Sequence, residues 1–83
     1  MLMYDWRRGS TGLELWLCDD TTDWTYIGEA SDGIPLMEIR LLTAYLADYN
    51  CIDDALPWLA ATNLRGGRTL QRQRLLYVQP MGY

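Results

Sequence analysis

The residues that could do covalent chemistry are few, and none has a neighbour to activate it. Cys18 and Cys51 are the thiols, and Ser10 and Ser31 sit in turn-like sequence. The sequence contains no His, so no side chain has an unperturbed pKa near neutrality and the usual proton shuttle for a Ser or Cys nucleophile is missing. Two cysteines far apart match no metal-ligand spacing, and soft ligands number two at best. Asp19, Asp20 and Asp23 share one polar stretch that superficially resembles a calcium loop. It lacks the central Gly and terminal Glu of such a loop, and the expectation is a turn using Asp and Thr for local hydrogen bonds. A two-carboxylate hydrolase would need a cleft that a chain this short rarely builds. No enzyme activity, cofactor or metal is expected.

Residues suited to contact are better represented. Four Trp and six Tyr stand beside a complete absence of Phe, so every large ring carries a polar tip fit for an interface. Trp16, Trp24 and Tyr26 are expected on one sheet face, rimmed by Asp5, Glu14, Asp19, Asp20 and Asp23. Such a patch has the composition of a binding hot spot. A second candidate is an apolar stripe of Met37, Leu41 and Ala44 on a helix, suited to a homodimer. A third is the basic cluster Arg65, Arg68, Arg72 and Arg74, with carboxylate or phosphate as its ligand.

Charge is segregated along the chain. Residues 1–54 hold all eleven acids and three Arg, a balance of −8, while residues 55–83 hold four Arg and no acid, a balance of +4. Every basic residue is Arg. The net charge of −4 disfavours nucleic acid, whose affinity is dominated by cations, and favours a protein partner with a basic surface.

The elements that position these residues follow from periodicity. Met3–Arg8, Leu13–Cys18 and Trp24–Ile27 alternate with period 2 and are separated by Gly9–Gly12 and Asp19–Asp23. Counting across the loops pairs Arg8 with Leu13, Arg7 with Glu14, Trp6 with Leu15, and Trp16 with Tyr26. One face then carries Leu2, Tyr4, Trp6, Leu13, Leu15, Leu17 and Ile27 as core. Helical spacing of Ile39, Leu42, Leu46 and Tyr49 predicts a helix over 35–49, capped by Ser31 or Asp32. A second helix is predicted from about Ala55 to Leu64, capped by Asp53 or Asp54 and ended by Gly66-Gly67. Residues 69–79 alternate and are read as a strand stopped by Pro80.

The expected fold is therefore α+β in the order β-β-β-α-α-β: a three-stranded meander plus a C-terminal strand, with two helices on one face, forming a single domain over 1–83. No stretch has the length and hydropathy of a membrane span or the layout of a signal peptide, so a cytoplasmic setting is expected. The composition suggests a non-enzymatic protein-binding module. By class analogy alone it suggests a phage or mobile-element inhibitor, of anti-CRISPR or other anti-defence type, occluding a basic nucleic-acid-binding site on a host complex. The alternatives are an assembly protein dimerising through helix 35–49 and an Arg-rich nucleic-acid regulator.

Overall fold

A computed structural model describes residues 1–78, with side chains described through residue 75. Three strands, β1 (Met3–Arg8), β2 (Gly12–Cys18) and β3 (Thr25–Ser31), precede three helices, α1 (Leu36–Leu46), α2 (Ile52–Ala60) and α3 (Arg68–Val78). The strands form one antiparallel sheet in the order β1-β2-β3. The class is α+β, but the order is β-β-β-α-α-α.

The β1–β2 register is the one that loop counting gives: Arg8 lies opposite Leu13, Arg7 opposite Glu14 and Trp6 opposite Leu15. Trp16 also faces Tyr26. Beyond that pair the β2–β3 register shifts, so that Leu15 faces Gly28 and Ile27 is the extra residue of a bulge. Ile27, Gly28 and Ala30 are consequently all buried. A Cβ at Gly28 would sit 2.7 Å from the Arg65 carbonyl oxygen and 3.1 Å from Leu70. The missing side chain is what lets the segment before α3 reach the sheet.

That segment replaces the expected fourth strand. Among the described residues of this segment, only residue 65 joins the sheet edge, where the Glu29 amide donates to the Arg65 carbonyl at 2.7 Å and the Arg65 amide donates back at 2.9 Å. Gly66 and Gly67 then turn the chain with φ of 88° and 71°. A Cβ on Gly67 would meet the Ile27 carbonyl oxygen at 2.1 Å. The chain therefore leaves the sheet after one bridge and enters α3. The alternation over 69–79 misleads because Leu, Gln and Arg are strong helix formers, and among the described side chains of this stretch, residues 69–75, Leu70 alone is fully buried. Arg74, one turn later, donates to the carbonyls of Ala60 and Thr62, each at 2.9 Å, and to that of Leu64. It thereby closes the C-terminal end of α2, where a cation is favoured. Pro80, the expected strand stop, lies outside the described residues.

Helix boundaries differ for a similar long-range reason. α2 begins at Ile52, earlier than predicted, because Asp19 in the β2–β3 loop supplies its cap: Asp19 Oδ2 accepts the Ile52 amide at 2.8 Å. Asp53 and Asp54 lie in the first turn rather than at the cap. Pro57 falls inside α2, and the helix stops at Ala60, well before Gly66-Gly67. α1 starts after Pro35, with no side-chain cap from Ser31 or Asp32, and ends at Leu46.

Leu15, Leu17 and Ile27 from the sheet pack with Leu46, Ala55, Leu56, Leu59, Leu64 and Leu70 in one contiguous buried cluster. Trp6 of the expected core face is half-buried and ties β1 to α1 by donating from Nε1 to Thr43 Oγ1 at 3.0 Å. Tyr4 on edge strand β1 remains half-exposed. Among the described residues, no helix is long and apolar enough to cross a membrane.

Two stability predictions follow from these joints. Asp19→Ala leaves the Ile52 and Thr21 amides without their acceptor, and is expected to lower Tm by at least about 5 °C; the exposed Asp20→Ala is expected to change it little. The hydrogen bonds from Ile52 and Thr21 hold the Asp19 carboxyl well below the usual carboxylate range. Its native pKa thus lies under the unfolded value of about 3.9, and its stabilisation is complete above that pH and lost as pH falls toward the native pKa. The gap in Tm between the native chain and Asp19→Ala should narrow steadily below about pH 4; a gap independent of pH would contradict the assignment. Gly67→Ala forces a side chain into the left-handed region and against backbone. We expect it to cost at least about 2 kcal/mol in chemical denaturation, against a few tenths for Gly33→Ala, where the added carbon meets nothing within 4 Å.

Candidate contact surfaces

The structure gathers the residues of the aromatic sheet face, but around a residue the sequence reading did not single out. Arg7 of β1 lays its guanidinium 4.4 Å from the centroid of Trp16 and 5.5 Å from that of Trp24. Period 2 places Arg7, Asp5, Trp16 and Glu14 on one face, and the strand order brings them together. Arg7 Nε donates to Asp5 Oδ2 at 3.0 Å, and Trp16 Nε1 donates to Glu14 Oε1 at 3.2 Å. Trp16 and Tyr26 rings pack at 5.6 Å, inclined by 56°. The Tyr26 hydroxyl lies against Gly66, where an added Cβ would be 3.0 Å away, and burial with nearby Glu29 and Glu14 pushes its pKa up. Cation, carboxylates and rings here largely satisfy one another. Trp24 keeps the greatest exposure of the three rings, at 40 %.

The acidic rim is less uniform than its sequence suggests. Asp5, Glu14 and the exposed Asp23 remain at the face, and Glu29, opposite Glu14, adds an acid that sequence reading left out. Asp20 is exposed and accepts from the Met1 ammonium at 3.0 Å. Asp19 is a correction. It is only 7 % exposed, and its Oδ1 accepts from the Thr21 amide at 2.9 Å, the Thr21 hydroxyl at 2.8 Å and the Thr22 hydroxyl at 3.0 Å. With Oδ2 accepting the Ile52 amide, this carboxylate is occupied by internal donors and largely withdrawn from solvent, and so does not belong to an exposed acidic rim.

The basic cluster is dispersed by the helix. Arg72 and Arg74, expected on one strand face, are separated by about 200° around α3. Arg74 is spent on the end of α2, whereas Arg65, Arg68 and Arg72 are exposed. The thiols lie apart from any acid–base pair as well. Cys18 donates to the Thr22 carbonyl at 3.2 Å, and hydrogen bonding to the Asp54 carboxylate pushes the Cys51 thiol up, which favours the unreactive protonated form. Both are free cysteines.

The least satisfied surface belongs to α1. Leu36, Met37, Leu41 and Tyr45 are 60 %, 63 %, 52 % and 53 % exposed, and Ala44 is exposed between them. Leu46 is the one residue of this helix that is fully buried. Met37, Leu41 and Ala44, read from sequence as a stripe, do share the outward side. Beside them runs an apolar groove of about 200 Å³ between α1, the end of α2 and the sheet, lined among others by Trp6, Leu41, Tyr45 and Trp58. Trp58 was missed as a surface residue. Its signal was the i, i+4 pair Tyr45 and Tyr49, which both face its ring at 5.5 and 6.1 Å.

If Arg7 is the centre of the sheet-face cluster, Arg7→Ala should cost about 1 kcal/mol in chemical denaturation and weaken the near-ultraviolet circular dichroism of the tryptophans. Arg8→Ala, whose partner is the exposed Asp32, should do neither.

No protein-family model, curated protein or solved structure matches the chain significantly.

Proposed function

We propose that this protein is a non-catalytic protein-binding module whose contact surface is the outward side of α1 and the groove beside it. The observation that carries this reading is the run of four large apolar side chains, each more than half exposed, on an eleven-residue helix. Contiguous exposed apolar surface of this kind marks interaction sites in small proteins. The partner is a protein with a basic surface, because the chain carries a net charge of −4 and electrostatic complementarity favours encounter with such a surface. In its finer form, the protein is a phage or mobile-element inhibitor of the anti-CRISPR or anti-defence type that blocks a basic nucleic-acid-binding site. That version is supported by the balance of −8 over residues 1–54 and by class analogy.

The sheet face is the second reading, favoured by the exposure of Trp24 beside Asp23. Affinity capture from the native host with the two surfaces altered separately decides between them. With Leu41→Arg, which sets a cation against the basic partner, recovery of the host protein that the native chain enriches should fall at least tenfold, whereas Trp24→Ala should leave recovery within about twofold. The opposite pattern would move the interface to the sheet. A homodimer through α1 would show in light scattering as twice the 9.6 kDa chain mass, abolished by Leu41→Glu; that result would replace the foreign partner with a second copy.

A further inference from the structure

The groove beside α1 has a chemistry more specific than its apolar lining implies. Its aromatic walls come from three elements: Trp6 of β1, Tyr45 of α1 and Trp58 of α2. Tyr45 and Trp58 pack directly on each other, centroids 5.5 Å apart and inclined by 58°, making one continuous aromatic wall. The volume of about 200 Å³ exceeds the roughly 150 Å³ that suffices for a benzene-sized guest. Among the described residues, Glu38 is the one ionisable acid in the lining, and no Arg lines it. Glu38 Oε2 accepts from Asn63 Nδ2 at 3.2 Å, and no donor to Oε1 occurs among the described residues.

Charge decides which guest fits. Ring faces are electronegative and attract cations, and the Glu38 carboxylate repels an anion. A neutral apolar guest would cover the carboxylate without compensating it. The other side of the sheet shows what completes such a set: there Trp16, Trp24 and the Asp5 carboxylate surround a guanidinium, and Arg7 supplies it. The groove presents two Trp, a Tyr and a carboxylate, and lacks the cation. A guanidinium suits it better than an ammonium, since it is planar, stacks on rings and is more weakly hydrated.

We propose that the groove is a receptor for one arginine side chain of the protein partner, its guanidinium held between the aromatic walls and Glu38. This deepens the reading of α1 as the contact surface and rests on it for the source of the arginine.

The binding chemistry is testable on the full chain without a partner. The probe is n-butylguanidinium, titrated into 15N-labelled protein while the four indole N–H signals are followed, each assigned by Trp→Phe substitution. The Trp6 and Trp58 signals should shift saturably, and those of Trp16 and Trp24 should not, because Arg7 already occupies their faces. n-Butyrate should produce no saturable shift, and n-butanol should bind several-fold more weakly. Glu38→Gln, an exposed substitution, should weaken the guanidinium by about threefold and leave n-butanol unchanged. Absence of saturable shifts at Trp6 and Trp58, equal binding of butyrate or butanol, or indifference to Glu38→Gln would each overturn the proposal. Host capture that survives Leu41→Arg, with butylguanidinium still bound in the groove of the native chain, would instead overturn only the assignment of α1 as the partner surface.

Discussion

The Asp19 carboxylate is the joint on which the arrangement of the helices depends. Three donors from its own loop fix Oδ1, and the Ile52 amide fixes Oδ2. The loop bonds form an Asx-type turn that any Asp–X–Thr–Thr sequence could make. The bond to Ile52 crosses 33 positions of chain and sets where α2 starts. Because α2 supplies Ala55, Leu56 and Leu59 to the core, the cap also sets how that core meets Leu15 and Leu17. Arg74 performs the matching task at the other end of α2. Both ends of the helix are therefore held by ionised side chains from distant elements, and Trp58 is carried to the rim of the groove as a result.

What could be read from the sequence divides along the same line between local and distant causes. The meander, its first register and the Trp16–Tyr26 pair follow from period 2 and loop length, which are local. The bulge at Ile27 does not, because it exists to accommodate Gly28 against Arg65 and Leu70. The alternation in α3 predicts a strand, but it is a weak signal in a polar stretch where, among residues 69–75, Leu70 alone is fully buried. There, straight-chain helix propensity and the Arg74 tether outweigh a period-2 pattern whose apolar members need no common face. Asp19 was assigned to a surface for the complementary reason. Its neighbours Asp20 and Asp23 are solvated, and nothing in the local sequence announces that an amide beyond the next helix will use it.

The two aromatic systems differ in how far the chain satisfies them by itself. On the sheet face, Arg7 is drawn from a neighbouring strand, so two tryptophans and a carboxylate are complete without help. Completing them within the fold lowers their capacity to gain energy from a partner, since any partner must first displace or match Arg7. The α1 surface has the reverse character. Its helix buries only Leu46 fully and leaves Leu36, Met37, Leu41 and Tyr45 in water, a cost the fold bears with no internal return. The Trp6–Thr43 hydrogen bond and the packing of Leu46, Ile39 and Leu42 on the core hold the helix in place along its inner side. An acidic chain that engages Arg7, Arg8 and Arg74 internally, through Asp5, Asp32 and the carbonyls at the end of α2, presents Glu38 beside open aromatic rings. The energetic asymmetry between the two surfaces, more than the number of aromatics on either, is what favours the proposed contact through α1 over one through the sheet.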